Sequence, residues 1–433
     1  MIEILKRIII DYQKKTLPEL TKRDLKLTFV KGMALGISGV RRGGKTYRTH
    51  QLAFELSENG TLDNICRIQF NDHRIINIPA NQLHIIDDAY YSIYPEKREK
   101  EDVYFIFDEI HRIDGWENYI LYLLETATHK IIVTGSTASL LRGNFASSLR
   151  GKLFPLELYP FSFNEYLRHH RIEPEFISSN GRSFLLNSLS GYLKSGGFPG
   201  VYDISEEIRD DLLRTYWDTM LLRDVIEAHN DENIDAVLLR QFCDALISRV
   251  GCPMTVNKIA QNLKNSGFSF NQEKIYRYLK YVTDAYMVHT VEFFSESEKI
   301  RSKNHKKVYC IDWALAKAVS FGAGTDDTRL FENMIFLELK RKGKNVSYYK
   351  TREGFEVDFV ATGKNKEIEL IQVSFSIENA SVENREMRSL VSAGKHLKAD
   401  MLIIVTLNDE KTFEIDGSKI KVVPAWKWLL GKS

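Results

Sequence analysis

The chain lacks the features that mark membrane insertion or an oxidising compartment. No run within its 433 residues approaches the ~20 apolar residues that a membrane-spanning helix needs. Residues 1–11 lack the long apolar region and small-residue cleavage site of a signal peptide. Only four cysteines occur, Cys66, Cys243, Cys252 and Cys310, and their scatter has no metal-ligand spacing. A disulfide framework is therefore excluded, and reduced thiols of a cytoplasmic protein are expected. Sixty basic residues against 58 acidic ones leave no large net field, so any nucleic-acid contact must come from a local patch. There is no low-complexity tract, no internal repeat and no nucleophile triad. Among eleven histidines only His169 and His170 are adjacent, and no H-x-x-x-H pair suggests zinc.

What is present is a phosphate-binding pattern. Residues 39–46 read Gly-Val-Arg-Arg-Gly-Gly-Lys-Thr, matching G-x-x-x-x-G-K-[ST]. A chain this long meets that pattern by chance on the order of a per cent of the time. The apolar run 33–37 before it suits a buried strand. Residues 45–58 after it have helical spacing, with Tyr47, Leu52, Phe54 and Leu56 as the large residues. Such a loop turns several backbone N–H groups and a helix N-terminus toward one anion. Gly39, Arg41, Arg42, Gly43, Gly44, Lys45 and Thr46 are the expected nucleotide contacts. Lys45 would reach the β- and γ-phosphates, and Thr46 would ligate Mg²⁺.

Sixty-odd residues later, 103–107 form an apolar run ending in Asp108-Glu109, a buried strand delivering two carboxylates at its carboxyl edge. Asp108 would organise Mg²⁺ and Glu109 would polarise the attacking water. A further strand at 130–134 leads to Gly135-Ser136-Thr137. There Ser136 or Thr137 either senses the γ-phosphate or caps a helix starting near Ser139. His111 either touches the nucleotide site or is a hydrogen-bonded structural histidine.

The expected class is α/β. Residues 1–30 suggest a helix at 2–15 with Ile4, Ile8 and Tyr12 on one stripe. Residues 31–160 alternate strands (33–37, 66–70, 104–107, 130–134, 153–158) with helices, which implies a parallel sheet covered on both faces. Residues 161–245 look helical with a break at 195–200. Residues 246–312 suggest a small helical module with a basic hairpin, and 313–433 return to mixed α/β with strands at 347–350, 356–361, 369–375 and 401–406.

These motifs, in order, resemble the bacterial and archaeal AAA+-type ATPases with a C-terminal region of unknown function. Beside the loop, the likeness rests on Phe-Asp-Glu-Ile-His (107–111), Trp116, Val-Thr-Gly-Ser (133–136) and Leu-Arg-Gly-Lys (149–152). It continues through Leu-Tyr-Pro-Phe-Ser-Phe-Asn-Glu-Tyr (158–166), Gly-Gly-Phe-Pro (196–199) and Leu-Arg-Asp-Val (222–225). Lys-Val-Tyr-Cys-Ile-Asp (307–312), Phe-Glu-Asn (331–333) and Glu-Val-Asp-Phe (356–359) complete it. The resemblance implies ATP binding with hydrolysis, a winged-helix-like module and a PD-(D/E)XK nuclease-like domain. Where such proteins have Gly-Arg as arginine finger, this chain has Gly151-Lys152. Arg150 lies two residues earlier and Arg142 earlier still; Arg150 either substitutes or is a plain surface arginine.

In the module, Thr255 and Asn271 would cap helices at 256–264 and 272–284. Ile275, Leu279 and Val282 would face the core, leaving Lys274, Arg277, Tyr278 and Tyr281 opposite. Between strands at 287–294 and 308–311 lie Lys299, Arg301, Lys303, Lys306 and Lys307. This basic wing either holds double-stranded DNA or is a solvated loop on a module that contacts protein. In the nuclease-like domain Glu332, Glu356 and Asp358 supply carboxylates, but the positions expected to read Glu-x-Lys are Gln372-Val373-Ser374. Glutamine is a poor Mg²⁺ ligand and serine lacks the lysine's charge, so an inactive remnant is expected. The reading is an ATPase using ATP and Mg²⁺. Its rivals are an ATP-gated nuclease and a slow switch; double-stranded DNA or a protein is the expected partner, and the missing Gly-Arg finger weakens the expectation of a homo-oligomer.

Overall fold

A computed structural model describes residues 1–16, 18–57, 62–98, 102–126, 129–136, 149–229, 234–320 and 326–432, without the side chains of 302, 303 and 380–382. Thr137, Ser139, Arg142 and the Lys303 side chain lie outside the described residues. The chain forms two units, one of residues 1–158 with 284–286, the other of 159–283 with 287–433.

The first unit contains α1 (Ile2–Lys14), β1 (Ala34–Ser38), α2 (Lys45–Ser57), β2 (Ile65–Gln69) and α3 (Ile85–Ile93). It continues with β3 (Tyr104–Asp108), α4 (Trp116–Thr126), β4 (Lys130–Gly135) and β5 (Leu153–Glu157). The strands pair in the order β2-β3-β4-β1-β5, all parallel. Strand alternation sends Cys66, Ile68, Phe105, Phe107, Ile131 and Val133 to one face, where α1, α3 and α4 cover them. Ile65, Ile106, Ile132, Leu35 and Ile37 go to the other face, under Leu52 and Ala53 of α2. Burial on both faces is why these strands read as continuous apolar runs.

One helix face differs from expectation. In α1 the buried residues are Leu5, Ile8, Ile9 and Tyr12, while Ile4 is exposed. In α2, Tyr47 and Phe54 are exposed and the buried face is made of Arg48, Thr49, Leu52 and Ala53. Side-chain size does not report orientation on a helix that also packs through polar groups.

The second unit begins with α5 (Phe163–His169), α6 (Ser179–Ser195), α7 (Glu206–Met220) and α8 (Ala236–Ile247). The Leu-Arg-Asp-Val motif falls in a π-helical stretch, Leu221–Ile226. Next come β6 (Pro253–Met254), α9 (Val256–Asn265), α10 (Gln272–Asp284), β7 (Val288–Val291), α11 (Glu298–Lys303) and β8 (Lys306–Cys310), with a small antiparallel sheet in the order β6-β8-β7. Thr255 Oγ1 accepts from Lys258 N and Asn271 Oδ1 from Lys274 N, so both expected caps form. The core stripe of α10 is Ile275, Tyr278 and Val282. Tyr278 is buried rather than on the open side, because its hydroxyl reaches Asp235.

The chain then runs through α12 (Trp313–Val319), α13 (Asp327–Arg341), β9 (Asn345–Lys350), β10 (Glu356–Thr362), β11 (Ile368–Val373), α14 (Ala380–Leu397), β12 (Met401–Thr406), β13 (Lys411–Ile415), β14 (Ser418–Pro424) and α15 (Ala425–Leu429). The sheet order is β13-β14-β12-β11-β10-β9, with β11, β12 and β14 mutually parallel. The β13–β14 hairpin was not anticipated, although its Asp416-Gly417 turn, φ 50° and 74°, carries the usual two-residue signal.

Buried polar groups tie distant segments of this unit together. Asp312 accepts from Gly197 N at 2.6 Å and from Leu315 N at 2.9 Å, and a Cβ at Gly196 would meet its Oδ1 at 2.4 Å. Arg341 donates to the carbonyls of Pro160 and Phe161, both at 3.1 Å. Asn333 bonds Cys310 N at 2.7 Å and Cys310 O at 2.9 Å, serving a stretch of β8 that β6 does not reach. Asn333→Ala should cost about 2–4 kcal/mol in urea unfolding, because both backbone groups would be left buried and unpaired. A loss under about 0.5 kcal/mol would contradict this account.

Candidate functional site

The loop 39–46 leaves β1 and enters α2 under tight contacts. A Cβ on Gly39 would meet Leu158 O at 2.1 Å, and one on Gly43 would meet Val40 O at 3.1 Å. Gly44 has φ 99°, a conformation glycine adopts at low cost. Lys45 is buried, its ammonium donating to Gly39 O at 2.9 Å and Val40 O at 3.1 Å. Arg41 is half-buried and Arg42 exposed with φ 64°. Behind the loop, buried Arg23 donates to Gly43 O at 2.8 Å, and its own backbone N–H reaches Gln51 Oε1 at 2.7 Å.

Asp108 lies at the end of β3, fully buried, and three side chains converge on it. Thr46 Oγ1 donates to Oδ2 at 2.9 Å, Arg67 Nη2 to the same oxygen at 2.6 Å, and Thr134 Oγ1 to Oδ1 at 2.5 Å. The Thr134 hydroxyl also accepts from Glu109 N at 3.1 Å. Glu109 adopts left-handed backbone, φ 61°, uncommon for a residue with a side chain. Its Oε2 is buried with no hydrogen-bond partner among the described residues, and His111 Nε2 stands 3.7 Å away. Ser136 is buried just past β4. Arg150 is exposed, with φ 52°.

Arg67 and Thr134 were missed by motif reading. The signal was there for Arg67: a lone charge in the otherwise apolar strand Ile-Cys-Arg-Ile-Gln needs a buried partner. Its guanidinium also lies over the Tyr12 ring, 5.1 Å from the centroid, and the Tyr12 hydroxyl meets His50 Nδ1 at 3.1 Å. Burial pushes the Tyr12 hydroxyl up to about 12. Burial first, and the Arg67 charge second, push His50 down to about 4.

The AAA-domain family matches residues 31–167, covering this site and its sheet. Two domains of unknown function match beyond it, DUF8612 over 186–329 and DUF4143 over 327–428. An uncharacterized protein of Methanocaldococcus jannaschii is 34% identical over 421 residues, 94% of this chain and 90% of the relative. The chain belongs to the AAA-type ATPase family that carries C-terminal domains of unknown function. Another relative of this AAA-type protein, from Haemophilus influenzae, is 28% identical over 398 residues, 91% of this chain and 93% of its own. Among solved structures, a Walker-type ATPase of Pyrococcus abyssi is similar at TM-score 0.41 and 14% identity, covering 66% of this chain and 91% of its own. The Aeropyrum pernix Orc1 protein in complex with DNA gives TM-score 0.27 and 11% identity, covering 74% and 91%.

In this AAA-type protein the expected basic edge is differently built. Residues 298–303 form α11 rather than a hairpin loop. Lys307 is not a surface DNA contact: it is 1% exposed, with its ammonium among Glu332, Glu356 and Asp358. Lys306 pairs with Glu292 at 2.8 Å, and Arg301 donates to Ser295 O at 2.7 Å. Lys274 is half-buried over the Tyr278 ring, while Arg277 and Lys299 are exposed. Gln372 Oε1 accepts from Asp358 N at 3.2 Å, and Glu369 points elsewhere, to Lys344 at 2.8 Å. No group of three or more His, Cys, Asp or Glu is arranged to hold a metal among the described residues, and no described helix is long and apolar enough to cross a membrane.

Arg67→Ala should lower stability by about 3–5 kcal/mol by stranding a buried carboxylate. Adding Asp108→Asn should recover part of that loss. Strict additivity in urea unfolding would show the two are uncoupled. A histidine whose folded pKa is lowered favours folding when neutral. The His50 contribution is thus present above about 6.5 and is lost as pH falls toward 4. His50→Gln should flatten the fall in unfolding midpoint across that window, and an unchanged slope would refute it.

Proposed function

We propose that the protein binds ATP with Mg²⁺ at the 39–46 loop and hydrolyses it, the turnover altering the C-terminal half. The observation that carries this is the pairing of Thr46 with Asp108 beside a buried Glu109 oxygen that has no hydrogen-bond partner among the described residues. A buried carboxylate oxygen without a donor is costly, which supports a role facing a ligand. The residues fit the metal as well: a threonine hydroxyl and a carboxylate are the oxygen donors it takes.

In this reading the loop N–H groups and the α2 N-terminus hold the phosphates, aided by Lys45. When bound, Mg²⁺ supplies charge neutralisation on the phosphates, and Thr46 and Asp108 would hold it. Glu109 accepts a proton from the attacking water, Thr134 fixes the backbone that carries it, and Ser136 lies at the sensor position. Arg150 is the arginine available to act in trans within a homo-oligomer. A cytoplasmic setting suits the reduced thiols of Cys66, Cys243, Cys252 and Cys310. Lys274, Arg277, Lys299, Arg301 and Lys306 remain the proposed DNA-facing residues. The slow-switch reading gains one observation, Arg67 on the same Asp108 oxygen as Thr46, which competes with a cation there.

The test is Mg²⁺-dependent ATP hydrolysis by wild type, Lys45→Ala and Glu109→Gln, with and without duplex DNA. Both variants should lose about 10²–10⁴-fold in turnover, and DNA should stimulate the wild type. Wild-type turnover no higher than that of Glu109→Gln under both conditions would favour the switch.

A further inference from the structure

The C-terminal half holds three carboxylates around one ammonium. Lys307 Nζ lies 2.8 Å from Glu356 Oε1, 3.0 Å from Glu332 Oε1 and 3.5 Å from Asp358 Oδ1. Lysine and carboxylates come from three elements: β8, α13 and β10. The Tyr309 hydroxyl donates to the same Glu332 oxygen at 2.5 Å.

Two features set this apart from an ordinary ion pair. The first is charge. One fixed cation faces three buried or half-buried carboxylates, more than a buried lysine needs as partners. The second is donor type. The inward-facing groups are carboxylate oxygens, one from α13 and two from β10, the donor type that Mg²⁺ and Mn²⁺ prefer, yet the centre that a metal would take is filled by the ammonium. The residues as they stand do not fit a divalent cation. Nor does the sheet carry the rest of a hydrolytic set: Gln372 spends its carbonyl on the Asp358 N–H, and Ser374 bonds Ser376 O.

We infer that Glu332, Glu356 and Asp358 form a divalent-cation site closed by the chain's own ammonium, Lys307 standing where the metal would. The sheet of β9–β14 then serves as the seat for β8, and no metal-dependent cleavage occurs there while Lys307 is in place. Removing the ammonium and leaving the carboxylates should open the site.

The experiment is a Mn²⁺ titration of the full chain without nucleotide, reading free Mn²⁺ by electron paramagnetic resonance alongside thermal melts. The chains are wild type, Asp358→Asn, Lys307→Met and Lys307→Met with Asp358→Asn. Lys307→Met should gain one Mn²⁺ per chain, bound at least about tenfold tighter than anything the wild type binds, and lose it in the double variant. Its melting temperature should rise with Mn²⁺ when that of the double variant does not. Mn²⁺ held at the 39–46 loop is distinguished because it does not depend on Asp358, so the outcome is independent of the ATPase reading. Wild-type Mn²⁺ uptake that Asp358→Asn removes would overturn the inference, since the site would be open with the lysine present. So would a Lys307→Met chain with no Asp358-dependent gain, or one that unfolds and is not recovered by Mn²⁺ during refolding.

Discussion

The buried carboxylate of Asp108 is the constraint around which the first unit is organised. A charge with no solvent access must be met by donors in place, or it costs several kcal/mol. Its donors come from α2, β2 and β4 through Thr46, Arg67 and Thr134, so one side chain links three neighbours of β3. The consequence reaches outward. Arg67 needs its strand to stay in register with β3, and the Tyr12 ring beneath it needs α1 in place. Thr134 passes the constraint to Glu109 through its backbone N–H, fixing a left-handed residue that would otherwise relax.

The second unit obeys the same rule with different chemistry. Asp312, Asn333 and Arg341 are each buried or nearly so, and each satisfies backbone groups far away in sequence. That gives Gly-Gly-Phe-Pro, Leu-Tyr-Pro-Phe and the asparagine of Phe-Glu-Asn a structural reason to be present. Gly196 must be glycine because Asp312 occupies the space of a Cβ, and Asp312 sits there to receive the N–H of Gly197.

This difference governs what could be read from sequence. The parallel sheet was legible because double burial makes apolar runs, and the phosphate loop was legible because its residues are contiguous. Thr46 and Asp108 were named separately from their local motifs, and their hydrogen bond closes what each motif implied. Arg67 was passed over because its partner lies 41 residues away, although a lone charge in an apolar strand signals that a buried partner exists. Tyr278 was assigned to the wrong face although it stands three residues after Ile275 and four before Val282, the spacing of one helical face, and its hydroxyl meets Asp235 on a preceding segment. The β13–β14 hairpin was a different miss, a local turn signal left unused.

Lys307 shows where such reading fails in principle. In sequence it belongs to a run of basic residues with Lys299, Arg301, Lys303 and Lys306, and a charge run is ordinarily a solvated face. Strand alternation in β8 separates it from Lys306. One side chain goes outward to Glu292, the next inward to three carboxylates contributed 25 to 51 residues later. The two units therefore answer one electrostatic problem in opposite ways. At Asp108 the basic partner shares an oxygen with a hydroxyl, and the neighbouring Glu109 has an oxygen with no hydrogen-bond partner among the described residues. At Glu332 and Asp358 the basic partner occupies the centre itself. The position of a lysine in three dimensions, and no feature of the basic run itself, decides that Lys306 meets the partly exposed Glu292 while Lys307 meets the buried Glu332.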